Sequence, residues 1–181
     1  DVKLGETVLI IGAGAIGMMV AAMCRRSGAA QVIIADFSDS RLDMALQVGA
    51  TAAVNSGKTD LEQEVARLTR GKGVDKSFEC VGRESCFNQA IMTLRRNGTA
   101  TIVGIYEKPQ VQFAASRLVT HEIHIQGAQG YCWDFPIAIA AARDLPMEKF
   151  ITHTFPLDEL QQALDTALDP KSGSIKVLVN P

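Results

Sequence analysis

Short runs of apolar, β-branched residues alternate along this chain with stretches whose apolar positions recur every three or four residues. Thr7–Ile11 reads Thr-Val-Leu-Ile-Ile, the pattern of a strand covered on both faces. Residues 16–26 then form a helix, with Arg25 and Arg26 in its last turn and Gly28 as its stop. Gln31–Asp36 repeats the buried-strand pattern. Ser38 is placed to cap a second helix, with Leu42, Ala45 and Leu46 on one face and Gly49 at its end. Residues 52–54 make a third strand. The spacing of Thr59 and Glu62 predicts a capping box opening a helix that carries Leu61, Val65 and Leu68. A fourth strand covers 75–81, with Lys76 snorkelling at its start. Phe87, Ala90, Ile91 and Leu94 set the next helix, closed by Asn97-Gly98. Strands five and six fall at 99–103 and 122–126, and an Ala/Ile-rich helix covers 135–143.

Strands alternating with helices imply right-handed βαβ crossovers. The expected fold is therefore α/β: a doubly wound, six-stranded parallel sheet in a three-layer αβα sandwich, the Rossmann fold. Residues 1–145 would form that domain. After Pro146 the rhythm changes to a strand at 150–155, a helix carrying Leu157, Leu160, Leu164 and Leu168, and a strand at 175–179. Residues 146–181 are thus expected as a C-terminal segment, part of which packs on a domain outside this chain.

Composition narrows the function. Of 181 residues, 47% are hydrophobic and 21% charged, which is too apolar for a disordered chain. The net charge of −2 lacks the basic excess of a nucleic-acid binder. The longest apolar stretch, residues 13–24, is too short to span a bilayer. None of Cys24, Cys80, Cys86 and Cys132 forms a C-x-x-C pair, so free buried thiols in a reducing cytoplasm are expected. The chain starts with Asp1 rather than Met, so it is expected to be part of a longer protein.

The chemistry concentrates at Gly12-Ala-Gly14-Ala-Ile-Gly17, a G-x-G-x-x-G between the first strand and the first helix. Gly12 serves the tight turn, Gly14 the close approach of a pyrophosphate, and Gly17 the packing of helix on strand. The amides of Ala15 and Ile16 then meet the anion at the positive end of the helix dipole. Asp36 stands nineteen residues after Gly17, at the end of the second strand. A carboxylate there accepts hydrogen bonds from the adenosine ribose and repels a 2′-phosphate, which favours NAD over NADP. Arg41, in the first turn of the next helix, is either a surface partner of Asp39 and Asp43 or a ribose contact beside Asp36.

Together with Gly73-Val-Asp-Lys-Ser-Phe-Glu-Cys-Val-Gly82 and Ile102-Val-Gly104, these residues resemble the cofactor-binding half of zinc-dependent medium-chain alcohol dehydrogenases. Ile151-Thr-His-Thr-Phe155 and the helix after it resemble the polyol and threonine dehydrogenase branch. The resemblance implies that Val103, Gly104 and Ile105 line the nicotinamide. It implies that Cys80 and Val81 flank the ribose and nicotinamide crevice, and that Ala128 and Gln129 touch the carboxamide. It places Lys176 where the family often has an arginine facing the pyrophosphate. It further implies a homodimer paired through the edge strand at 122–126, a small alcohol or polyol substrate, and zinc held only by a preceding catalytic domain. His121 and His124, read as strand residues, should point to opposite faces, and His153 has no partner at metal-ligand spacing. No catalytic or metal-binding residue is therefore assigned to this chain. Three alternatives stay open: a zinc-free quinone or enoyl reductase of the same superfamily, a non-catalytic NAD-sensing module, and an adenosylmethionine-dependent methyltransferase. The third glycine and the Ile102-Val-Gly104 stretch count against the last.

Overall fold

The computed structural model describes residues 2–130, 132–169 and 171–181. The chain divides into two compact units, Asp1–Gln129 and Gly130–Pro181.

The first unit holds β1 (Thr7–Ile11), α1 (Ala15–Arg26), β2 (Gln31–Asp36), α2 (Asp39–Val48), β3 (Ala52–Asn55) and α3 (Leu61–Leu68). Then come β4 (Val74–Glu79), α4 (Glu84–Met92), β5 (Leu94–Ile102), α5 (Ala115–His121) and β6 (His124–Gly127). Its strands form one six-stranded sheet in the order β3-β2-β1-β4-β5-β6, and every pairing is parallel. That order reverses direction between β1 and β4, which opens a crevice at the carboxyl ends of those two strands.

The continuous apolar runs of β1 and β2 reflect burial on both faces. Val8, Leu9, Ile10, Val32, Ile33 and Ile34 are all fully buried. Leu9, Ile11, Ile33 and Ala35 share a core with Leu61 and Val65 of α3 and with Phe87, Ala90 and Ile91 of α4. The opposite face is covered by α1 and α2, with Met18, Ala21 and Ala45 fully buried. Each fully buried Val, Leu, Ile or Met among these contributes about 1.5–3 kcal/mol through its removal from water. The result is a three-layer αβα sandwich.

Local chemistry sets the element ends, and in several places it differs from the sequence expectation. α2 is capped by Ser38 and ends at Gly49 (φ 138°), as its pattern predicts. α3 starts one residue later than the capping box implied: Asp60, not Thr59, accepts from the Gln63 amide at 2.9 Å. The Thr59 hydroxyl instead donates to the Asn55 carbonyl, closing the turn after β3. Asn97-Gly98 does not end a helix; α4 stops at Met92, and both residues lie inside a longer β5. Val74 pairs with Leu94 but Lys76 with Thr99, so β5 bulges there, and Asn97 takes φ 58° within the bulge. Lys76 is half-buried and reaches the Thr99 hydroxyl on the neighbouring strand.

β6 also begins later than expected. His121 ends α5, and Glu122 adopts the left-handed conformation that terminates that helix (φ 54°). The two histidines therefore do not share a strand: His121 pairs with Arg117, and His124 bonds the Asn97 side chain. Cys132 is exposed, unlike Cys24 and Cys86, which are buried.

The second unit contains α6 (Phe135–Ala142), a 3₁₀ turn (Met147–Phe150), β7 (Ile151–Pro156), α7 (Leu160–Leu168) and β8 (Lys176–Asn180). β7 and β8 pair in parallel as a separate two-stranded sheet, with α7 as the crossover. Phe150 is buried, whereas Leu157, Leu160, Leu164 and Leu168 are exposed. Among the described residues no helix is long and apolar enough to cross a membrane.

Candidate dinucleotide site

The loop between β1 and α1 uses its three glycines for three different physical reasons. Gly12 has φ 101°, and a Cβ there would lie 2.8 Å from Val81 Cγ2. Gly17 is in helical conformation, but its Cβ would fall 1.8 Å from the Gly12 carbonyl oxygen, so only a hydrogen lets α1 sit this close to β1. Gly14 differs from both. Its backbone is ordinary (φ −78°, ψ −174°), and nothing in the chain lies within 4 Å of the place its Cβ would take. Neither strain nor packing in this chain asks for glycine at position 14. The space it leaves open lies at the first turn of α1.

That turn is electropositive. The Met18 N–H donates to the Gly14 carbonyl, so the amides of Ala15, Ile16 and Gly17 precede the first intrahelical donor and have no acceptor within the helix. No side chain caps the helix, and its first turn has no acidic residue. The dipole's positive end is left for an anion.

Asp36, half-buried at the carboxyl end of β2, ties the loop down. Its Oδ2 accepts from the Ala13 amide at 2.7 Å, and its Oδ1 accepts from the Ser38 amide at 3.0 Å. Arg41 lies in the first turn of α2, where its amide is capped by Ser38 Oγ.

The far wall comes from β4 and β5. Residues 80–82 and 103–105 leave these strands in mutual contact: a Cβ on Gly104 would sit 2.2 Å from the Gly82 amide nitrogen. Burial, and then the neighbouring Glu79, push the Cys80 thiol up to about 12, so Cys80 is neutral and unreactive near neutral pH. Val81 and Ile105 are exposed. Glu79, which the sequence reading passed over, is fully buried and organises this wall. Its Oε1 accepts from the amides of Val81 (2.8 Å) and Gly82 (2.9 Å). Its Oε2 accepts from the Tyr106 hydroxyl at 2.8 Å, and its backbone carbonyl accepts from Val103 and Gly104. Burial and the Glu79 bond raise the Tyr106 phenol above its ordinary range. The sequence signal for Glu79 is an acid at the end of a buried strand, three residues before a glycine.

The structure thus brings together Gly12–Gly17, Asp36, Cys80, Val81, Val103, Gly104 and Ile105 at one sheet edge. Ala128 and Gln129 follow β6 at the same edge, with the Ala128 amide bonded to the Ile102 carbonyl. Lys176 belongs to the second unit, where it is exposed at the start of β8. The set fits a dinucleotide: an open cradle at Gly14, unclaimed amides behind it, and a carboxylate at the end of β2.

A sequence model described as zinc-binding dehydrogenase matches residues 15–144. The chain belongs to the zinc-binding dehydrogenase family. It is 34% identical over 184 residues to sorbitol dehydrogenase from Mus musculus, covering 99% of this chain and 50% of that protein. It is 36% identical over 183 residues to L-threonine 3-dehydrogenase from Coxiella burnetii, covering 98% and 52%. Among solved structures, 2R,3R-butanediol dehydrogenase from Bacillus subtilis superposes with a TM-score of 0.90 at 30% identity, covering 100% of this chain and 52% of that one. A zinc-binding dehydrogenase from Sinorhizobium meliloti, bound to NADP, gives 0.91 at 28%, covering 100% and 54%. The chain spans about half the length of these relatives. Among its described residues, no three His, Cys, Asp or Glu side chains come together as a metal site, so no metal step is assigned to them.

Proposed function

We propose that this chain is the NAD-binding part of a zinc-dependent dehydrogenase that moves hydride between a secondary alcohol, a polyol by its relatives, and the nicotinamide. The observation that carries the reading is the glycine at position 14, which the chain itself does not need. A diphosphate fills that space, bonded by the amides of Ala15, Ile16 and Gly17. Gly12 and Gly17 hold the loop open for it. Asp36 takes the adenosine ribose. Each of its oxygens already accepts one amide, and each keeps a second lone pair for a sugar hydroxyl. Its negative charge disfavours a 2′-phosphate. Arg41 borders the same sugar.

When bound, the nicotinamide supplies the hydride chemistry. The chain's own residues position it. Cys80, Val81, Val103, Gly104 and Ile105 form one wall of its crevice, and Ala128 and Gln129 close the carboxamide end. In this reading residues 146–181 return toward a catalytic domain that holds the zinc. β6 ends the sheet with all four residues exposed, Ile125 among them, which supports a homodimer built edge to edge. The protein works in the cytoplasm.

Titrating the full-length protein with NAD and NADP tests the reading. NAD binds more tightly than NADP; equal or tighter NADP binding refutes the role given to Asp36, and no binding of either refutes the site.

A further inference from the structure

Glu79 is a fully buried carboxylate that the reading above leaves without a task. Burying an acid is costly unless its charge is stabilised in place. Here the stabilisation comes from two backbone amides on Oε1 and a phenol on Oε2. Two N–H donors on one oxygen and an O–H on the other are hydrogen bonds that favour the charged, acceptor-only form of a carboxylate. These donors are dipoles. They hold the anion without cancelling its charge. The same residue's carbonyl binds the amides of Val103 and Gly104, so the charge is locked to both loops that form the far wall.

We propose that Glu79 keeps a fixed negative charge under the loops that seat the nicotinamide, and that it biases binding toward the oxidised, cationic form of the cofactor. The inference rests on the dinucleotide reading above. The oxidised ring carries one positive charge and the reduced ring none, so a nearby anion stabilises only the first. A unit charge about 10 Å away, across an effective dielectric of about 40, changes an equilibrium about fourfold. Glu79 is thus a positioning residue with an electrostatic effect that a purely structural brace would lack. Tyr106 secures its Oε2 and is half-exposed.

The test compares Kd for NAD⁺ and NADH in the full-length protein by calorimetry, with thermal melting as a check on folding. Glu79→Gln keeps the acceptor for Val81 and Gly82 but removes the charge. The ratio of Kd for NAD⁺ to Kd for NADH rises about fourfold. Tyr106→Phe keeps the charge and leaves the ratio unchanged. Tyr106→Lys sets an ammonium beside Glu79 and raises the ratio as Glu79→Gln does. An unchanged ratio in folded Glu79→Gln overturns the proposal. Should that variant fail to fold, an unchanged ratio in Tyr106→Lys overturns it instead. A wild-type protein that binds neither form overturns the dinucleotide reading itself, a result distinct from tight binding with an unaltered ratio.

Discussion

Two glycines of one loop separate folding from binding, and Gly14→Ser against Gly17→Ala measures the separation. At Gly17 an added Cβ would stand 1.8 Å from the Gly12 carbonyl oxygen. Backbone lies on both sides, so α1 or the loop has to move by more than an ångström. Overpacking of this kind costs about 1–3 kcal/mol, and a melting temperature falls by about 2–4 °C per kcal/mol in a chain this size. At Gly14 the new side chain meets nothing within 4 Å, and φ is −78°. Serine is also a better helix N-cap partner, because its hydroxyl can accept from an amide of the first turn. Gly14→Ser should therefore hold or raise the melting temperature, by a few tenths of a kcal/mol in stability. Its effect on the cofactor is opposite. The Oγ takes up the space and an amide that a phosphate would use. Charge-assisted hydrogen bonds of that kind contribute about 1.5–3 kcal/mol each, so NAD binding weakens about 10- to 150-fold. Differential scanning fluorimetry and calorimetry on the full-length protein read both quantities. Wild-type NAD affinity in Gly14→Ser would sink the argument, because the open space would then hold no ligand.

Other substitutions probe the neighbouring interactions. Asp36→Gly frees the Ala13 and Ser38 amides and removes the charge at the end of β2. NAD binding then drops about tenfold and the preference over NADP shrinks, and a preserved preference in paired titrations would contradict the assignment. Asp60→Ala removes the cap of α3 and costs about 1 kcal/mol, whereas Thr59→Ala costs less; chemical denaturation distinguishes the two starting points of the helix. Burial pushes the Cys24 and Cys80 thiols up to about 12 from 9.0. Each folded-state pKa is raised, so each thiol's contribution is complete below pH 9 and is lost as pH climbs toward 12. Stability falls in that window by up to about 1.4 kcal/mol per pH unit for each thiol. Cys24→Ala should flatten the alkaline limb of the melting profile, and an unaltered limb counts against it. Iodoacetamide at neutral pH should label the exposed Cys132 before Cys24, as peptide mass spectrometry can follow.

The central strands are legible in sequence because both of their faces are buried. Thr7–Ile11 and Gln31–Asp36 have no polar parity to blur their ends, and both match the structure residue for residue. Legibility fades where tertiary contacts outrank local pattern. Asn97-Gly98 carries a stop signal, yet pairing with β4 absorbs it as a bulge. α5 has no buried residue, so no apolar period announces it, and His121 therefore looks like part of the strand behind it. The site divides the same way. The motif Gly12–Gly17 names the loop, but its letters do not say which glycine serves the fold and which is left for a ligand. Glu79 is harder still to see. An acid in a strand reads as surface, and only the convergence of residues 81, 82 and 106 on its oxygens shows a buried anion.

The two acids at this sheet edge solve the same problem in different ways. Asp36 and Glu79 both end a strand, and both spend carboxylate oxygens on backbone amides of a crossover loop. A loop fixed by such bonds loses its conformational freedom on folding, before any ligand arrives, so binding does not bear that entropy again. The difference lies in exposure. Asp36 is half-buried and keeps lone pairs that a sugar hydroxyl can reach, so its clamp is also a recognition surface. Glu79 is sealed from solvent and can act on a ligand only through its field. On the proposed dinucleotide reading, contact specificity falls to the β2 side of the crevice and charge bias to the β4 side. Substitutions at the two acids should accordingly alter different ratios: NAD against NADP for Asp36, oxidised against reduced for Glu79. A variant at either acid that shifted both ratios together would show that the two clamps act as one.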